Sequence, residues 1–113
     1  MRFLTMYTPD SNDPPSPEHM AVMGEFVAAG FRSGALVSTG GLQAGASRVR
    51  SSGGRLSLTD GPFAESKEVV AGYAILEASS EDHAIEMTKR FLEAAGDGVC
   101  EVRRIFGPED MPA

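Results

Sequence analysis

The sequence predicts a single α+β domain with the element order β-α-β-β-α-β and a β-hairpin inserted after the second strand. Two runs have the apolar spacing of amphipathic helices, and the runs around them alternate side chains as strands do. The chain has 113 residues, 42% hydrophobic and 23% charged, which suffices for one core but not for two. Without the hairpin, this order is the split pattern of a ferredoxin-like domain, with both helices on one sheet face.

The first strand is predicted over residues 2–8. Its side chains alternate, so that Phe3, Thr5 and Tyr7 share one face. Residues 9–15 contain three prolines, which cannot pair in the middle of a sheet, and are therefore predicted to form a loop.

The first helix is predicted over residues 17–33. Ser16 provides an N-cap hydroxyl, and Pro17 occupies a first-turn position where its missing N–H does no harm. Gly34 follows the last apolar position and is placed to end the helix.

The second strand is predicted over residues 35–42. After it, residues 48–50 and 56–59 flank Gly53 and Gly54, a pair typical of a tight hairpin turn. This is the inserted hairpin.

The third strand of the main sheet is predicted over residues 69–78, a long β-prone run. Ser79 or Ser80 then caps the second helix, whose first turn is acidic, and Gly96 is placed to end that helix.

The second helix places Glu86 one turn before Arg90, which favours an ion pair between them. A last strand is predicted over residues 99–106. We therefore expect one domain over residues 1–107 and a tail over residues 108–113.

Charge and composition exclude several classes of protein. The net charge is −6 and the isoelectric point is near 4.8, the wrong sign for binding phosphates, so nucleic acid is not an expected partner. No stretch is apolar enough to span a membrane and no signal peptide is recognisable, so we expect a cytoplasmic protein with no membrane partner. Cys100 is the single cysteine, and no cluster of metal ligands or phosphate-binding loop is evident, so neither a metal nor a cofactor is expected.

The sheet is predicted to have a second apolar face that its own helices cannot cover. Leu4 and Met6 are apolar in one alternation phase and Phe3 in the other, and Val69 and Val70 are adjacent. We predict a two-fold homodimer with sheets face to face and a pocket between helices and sheet. The alternative is that the hairpin covers this face.

The densest group of polar side chains follows the hairpin. Asp60, Gly61 and Pro62 are typical of a turn, which favours a connector. The hypothesis of a site rests on three carboxylates and an ammonium near an apolar ring, because such crowding favours the protonated form of one carboxyl, as general acid–base catalysis requires. These residues are Asp60, Phe63, Glu65, Lys67 and Glu68.

Two arginines and a histidine extend this group. Arg48 and Arg50 lie two residues apart on one strand face, where they are placed either to bracket an anionic oxygen or to pair with Glu65 or Glu68. His19 falls in the first turn of the first helix, either as a neutral imidazole that acts as a base or as a solvated surface residue.

The string DGPFAESKEVVAGY, residues 60–73, resembles the signature of the YCII-related, or DGPF-domain, proteins. The resemblance extends to residues 34–36, 41–42, 48–50 and 101–103. It implies a ferredoxin-like fold that pairs into a dimeric α/β barrel, often in association with an extracytoplasmic-function sigma factor. The residues that it carries over are Asp60, Gly61, Pro62, Phe63, Glu65, Lys67, Glu68 and Gly72, together with Arg48 and Arg50.

Two functional hypotheses follow. In the first, the protein is a cofactor-independent lyase or isomerase with Asp60 as the base and His19 assisting. Arg48, Arg50, Phe63, Glu65, Lys67 and Glu68 would bind its small organic substrate. In the second, it is a non-catalytic module that binds a ligand or a regulatory protein, and Asp60 only shapes a turn.

Overall fold

The computed structural model of the chain describes residues 1–11, 13–60 and 69–111. These residues form a mixed structure with two helices, so the predicted α+β class is confirmed. Its elements in chain order are β1 (Arg2–Pro9), α1 (Pro17–Ser33), β2 (Leu36–Gly41), β3 (Ser47–Ser52), β4 (Arg55–Asp60), β5 (Gly72–Glu77), α2 (Glu81–Ala95) and β6 (Gly98–Arg104).

Four of the strands form an antiparallel sheet in the order β2-β5-β1-β6. Strand β1 lies in the middle, where Thr5 is paired with Ala74 of β5 and with Val102 of β6. Strands β3 and β4 form a separate two-stranded sheet, the hairpin. When the hairpin is left out, the described elements follow the predicted order β-α-β-β-α-β.

The core lies between the sheet and the helices. Phe3 of β1 is only 1% exposed and clusters with Ala78 and with Ala84 of α2. Met87 and Val102 pack against this cluster. The face of β1 that carries Phe3 is therefore the face that the helices cover.

Local capping determines where the helices begin and end. The Ser16 hydroxyl accepts a hydrogen bond from the backbone N–H of His19 at 3.1 Å, and Gly34 adopts a left-handed conformation with φ of 80°. The bounds predicted for α1 are confirmed. In α2, the Ser80 hydroxyl accepts from the N–H of His83 at 3.1 Å, which identifies Ser80 rather than Ser79 as the cap.

The hairpin projects from the rest of the chain. Every residue of β3 and β4 is exposed, and neither strand makes an extensive contact with any other element of the described ranges. The radius of gyration is 16.5 Å, whereas a compact chain of this length would have about 13 Å. Within one chain, the hairpin therefore does not cover the second face of the main sheet.

Three predicted details differ in the structure. Strand β5 begins at Gly72, three residues later than predicted, because its pairing with β1 ends opposite Tyr7. Glu86 contacts Lys89 at 3.1 Å instead of pairing with Arg90. The tail includes a short 3₁₀ helix, Pro108–Asp110, whose acidic side chains bind Arg104.

Neither helix in the described part of the chain is long and apolar enough to cross a membrane.

Candidate functional site

A cavity of about 600 Å³ lies between the two helices and the sheet. Thr5, Tyr7 and Ala74 of the two central strands line it, as do Phe26 of α1 and Phe91 of α2. The cavity has the size and position of a site for a small organic molecule.

Three aromatic rings form part of its wall. Tyr7 and Phe91 meet edge to face, with ring centroids 5.3 Å apart and an angle of 85° between the rings. Phe26 contacts Phe91 in the same manner at 6.1 Å. Edge-to-face contacts of this kind are attractive, and they join the two helices to β1 through one cluster. The wall is therefore apolar and built from all three elements.

Most hydroxyl groups around the cavity are already hydrogen-bonded to backbone carbonyls of the chain itself. The Thr39 hydroxyl donates to the carbonyl of Tyr73 at 2.8 Å, and that of Thr88 to the carbonyl of Ala84 at 2.8 Å. The Ser33 hydroxyl donates to the carbonyl of Gly30 at 3.1 Å. Thr5 differs from them: the residue is only 8% exposed, and its hydroxyl, which has no hydrogen-bond partner among the described residues, is open to the cavity.

Tyr7 is the ionisable member of the aromatic cluster. Its hydroxyl donates to the backbone carbonyl of Asp97 across 3.4 Å. Burial raises the pKa of the Tyr7 phenol, and negative charge on Cys100, Asp10 and Asp97 raises that pKa further. Tyr7 is therefore neutral and a hydrogen-bond donor near pH 7.

Arg90 is the one charged side chain among the described residues that line the cavity. It lies on the exposed side of α2, one position before Phe91. Glu86, the partner predicted for Arg90, pairs with Lys89 instead. Arg90 makes no ion pair with any residue in the described ranges. The cavity thus has one positive group and an otherwise uncharged described lining.

The predicted base, Asp60, lies at the end of β4 in the projecting hairpin. It is exposed, and its carboxylate accepts a hydrogen bond from the Ser47 hydroxyl at 2.8 Å. Arg48 and Arg50 are exposed on the opposite face of the hairpin, since Arg48 is paired with Thr59 and side chains alternate between faces. The hairpin therefore separates Asp60 from the two arginines.

The other predicted base, His19, lies half-buried in the first turn of α1. None of His19, Asp60, Arg48 and Arg50 is among the residues that line the cavity. Phe63, Glu65, Lys67 and Glu68 lie outside the described residues. The roles assigned to all of these side chains stay predictions.

The residues that do line the cavity left only weak signals in the sequence. Alternation placed Thr5 and Tyr7 on the strand face of Phe3, but it did not show that this is the face that the helices cover. Thr88 and Phe91 belong to the inward stripe of α2. A stripe of this kind is typical of a core, so its pattern alone does not indicate a cavity.

A family model of the YCII-related domain matches residues 1–108. The chain belongs to the YCII-related family. An uncharacterized protein of Rhizobium meliloti (strain 1021) is 32% identical over 71 residues, which are 60% of this chain and 57% of that protein. The matched region thus spans less than two thirds of that relative.

Among solved structures, this YCII-related chain is similar to a 5-chloro-2-hydroxyhydroquinone dehydrochlorinase from Burkholderia phenoliruptrix AC1100, in complex with 2,5-dihydroxybenzoquinone. The identity is 16% and the TM-score 0.44, over 96% of this chain and 97% of that one. At this level of likeness, the reaction of that enzyme is not transferred to this chain.

Proposed function

We propose that this YCII-related protein binds a small, largely apolar organic molecule in the cavity between its helices and its sheet. The observation that supports this proposal is the size and composition of the cavity. Its volume of about 600 Å³ lies inside the usual range of roughly 300–1,000 Å³ for ligand pockets. Its wall is mainly apolar, with a few polar groups, which is the composition of sites that bind organic molecules.

A lyase or isomerase reaction on that molecule would need a general base within reach of the cavity. The described lining includes no carboxylate, imidazole or amine, and its ionisable side chains are Tyr7, Tyr73 and Arg90. Tyr7 can donate a proton or a hydrogen bond but is a poor base while it is neutral. A lyase or isomerase reaction would require a base from elsewhere, for which Asp60 is our candidate. The composition of the lining therefore favours the second hypothesis, a non-catalytic module that binds a ligand.

We also propose that the protein is a homodimer. Three apolar side chains of the hairpin are exposed in the single chain, namely Val49 at 70%, Leu56 at 77% and Leu58 at 66%. They share one hairpin face, since Val49 is paired with Leu58. An apolar face of this kind is typical of an interaction site.

Charge supports a second copy as the occupant of that face. The hairpin has three arginines and one aspartate, whereas the whole chain has a net charge of −6. A basic hairpin and an acidic body attract each other, and this attraction favours a hairpin that contacts the body of the partner. In such a dimer, each hairpin would take its Asp60 away from its own cavity and toward the other subunit.

The binding proposal can be tested with a neutral apolar probe, N-phenyl-1-naphthylamine, which becomes fluorescent in apolar sites. We expect the wild-type protein to bind it. Ala74→Phe should abolish binding, because Ala74 lines the cavity and the larger ring fills it.

The matched control is Ala21→Phe, the same change at an exposed position of α1 that does not line the cavity. This variant should bind the probe as the wild type does. Circular dichroism should show that both variants are folded. If Ala74→Phe binds the probe unchanged, or if the wild type does not bind it, the cavity is not the site.

Catalysis is a separate question with its own test. Compounds that bind should be incubated with the wild type and with Asp60→Asn, and followed by mass spectrometry and NMR. Turnover by the wild type that Asp60→Asn loses would establish an enzyme with Asp60 as a functional group. Binding without turnover would identify a binding module.

A further inference from the structure

We propose that the cavity selects organic anions. The ligand would have an apolar body against the aromatic wall, an anionic group at Arg90, and an oxygen that hydrogen-bonds to Thr5. This inference rests on the proposed function and specifies its ligand class.

Arg90 provides the charge selection. It is the one charged side chain among the described lining residues, and it has no ion-pair partner in the described ranges. Its neighbour Lys89 contacts Glu86 at 3.1 Å, so the nearby carboxylate is already bound. A guanidinium offers five donors in a planar fork that matches a carboxylate or a sulfonate. An arginine left unpaired at the mouth of an apolar cavity is therefore suited to an anionic ligand.

Thr5 provides the second polar contact. Its backbone is in the middle of the sheet, between Ala74 and Val102, so its position is rigid. Thr5 is only 8% exposed and lines the cavity, and its hydroxyl has no hydrogen-bond partner among the described residues. No described side-chain oxygen or nitrogen is both fully buried and without a partner, so the Thr5 hydroxyl is open to the cavity, where a ligand oxygen can form a hydrogen bond with it.

Apart from Arg90, the charges of the protein do not favour the binding of an anion. The chain has a net charge of −6, which repels anions at long range. The phenols of Tyr7 and Tyr73 also line the cavity, and they provide no positive charge that could attract an anion. Without Arg90, the cavity would favour neutral molecules over anions. Replacement of this one side chain should therefore reverse the preference.

Two probes with nearly the same rings test the charge selection. These are 8-anilino-1-naphthalenesulfonate, which has a sulfonate, and N-phenyl-1-naphthylamine, which has none. Arg90→Gln should weaken sulfonate binding roughly five- to tenfold, the scale of a charge-assisted hydrogen bond at a partly exposed site, and leave the neutral probe unchanged. Arg90→Lys retains the charge without the planar fork, so it should bind the sulfonate more tightly than Arg90→Gln and less tightly than the wild type.

Arg55→Gln is the matched control, since Arg55 is an arginine of the hairpin and does not line the cavity. It removes the same charge from the protein and should leave the binding of both probes unchanged. Ala74→Phe should abolish the binding of both, which excludes attachment to an exposed surface.

The outcomes separate this inference from the proposed function. If neither probe binds in the cavity, the proposed function is wrong. If both bind and Arg90→Gln changes neither, the cavity is a site and the charge selection is wrong. If Arg55→Gln weakens sulfonate binding as much as Arg90→Gln, the effect is one of net charge and the inference is also wrong.

The Thr5 contact is tested by displacement of the sulfonate probe with cinnamate and its 2-, 3- and 4-hydroxy derivatives. At least one hydroxy derivative should bind the wild type more tightly than cinnamate, by roughly three- to tenfold for one neutral hydrogen bond. Thr5→Val has nearly the same shape and should abolish that advantage without weakening cinnamate itself. If no derivative gains affinity, or if Thr5→Val preserves the gain, Thr5 does not bind the ligand.

Discussion

Leu58 is the position where the proposed homodimer can be broken with the least damage to the single chain. It is 66% exposed and lies on the hairpin, which makes no extensive contact with the other described elements of its own chain. Complete burial of a leucine contributes about 1.5–3 kcal/mol, so burial of the exposed two thirds contributes about 1–2 kcal/mol for each hairpin. Two-fold symmetry doubles this to about 2–4 kcal/mol.

Leu58→Asp removes that contribution and places two carboxylates in an apolar interface. Desolvation of the carboxylates adds at least about 1 kcal/mol for each, so dimerisation should weaken by about 4 kcal/mol or more. At 1.4 kcal/mol for each factor of ten, this corresponds to an increase in the dissociation constant of roughly a thousandfold. A dimer with a micromolar dissociation constant would become monomeric at every practical concentration.

Sedimentation equilibrium and light scattering after size-exclusion chromatography would measure this change. Ser57→Asp is the matched control, because Ser57 is the preceding residue and faces the other side of the hairpin. It should leave the dimer largely intact. A monomeric wild type would refute the homodimer, in which case the hairpin face is free for a different protein partner. A dimeric Leu58→Asp variant would show that the interface lies elsewhere.

Three further predictions concern the single chain. Phe3→Ala should lower the free energy of unfolding by about 3–5 kcal/mol in urea titrations, since Phe3 is only 1% exposed, and a loss under 1 kcal/mol would contradict its place in the core. Ser80→Ala should cost about 1 kcal/mol by removing the cap of α2, whereas Ser57→Ala should cost nothing measurable. Burial raises the pKa of Tyr7 and of Cys100, so the folded state retains these protons when the unfolded state has lost them. Stability should therefore be unaffected below about pH 8 and should fall as the pH rises through the thiol and phenol ranges, roughly pH 8.5–10 and above. Tyr7→Phe and Cys100→Ala should each make that fall shallower, and a wild-type curve that is flat up to pH 11 would contradict both shifts.

The helices were predictable because the sequence signals that mark their ends are local. Ser16, Pro17 and Gly34 act within one turn of the chain, through a side-chain hydrogen bond, a restricted φ and a left-handed conformation. The hairpin was predictable for the same reason, since Gly53 and Gly54 both have positive φ in the turn.

The bounds of the strands were less predictable because pairing decides them. The β-prone run from residue 69 predicted a strand of ten residues, but the strand itself begins at Gly72, where the register with β1 and β2 starts. Residues 69–71 have the composition of a strand without being part of it. The β propensity of a residue is a property of that residue alone, whereas its place in a strand depends on where the neighbouring strand begins and ends.

The sequence by itself determined the α+β class, the order of the elements and the family, because these follow from periodicity, caps and a long specific motif. Only the tertiary structure decided which residues form the cavity. Thr5 and Arg90 are 85 positions apart, and nothing local to either distinguishes it from an ordinary strand threonine or surface arginine. They come to one cavity because β1 lies in the middle of the sheet and α2 packs over the same face. The projection of the hairpin was decided in the same way, since its strands pair with each other and leave their apolar face exposed.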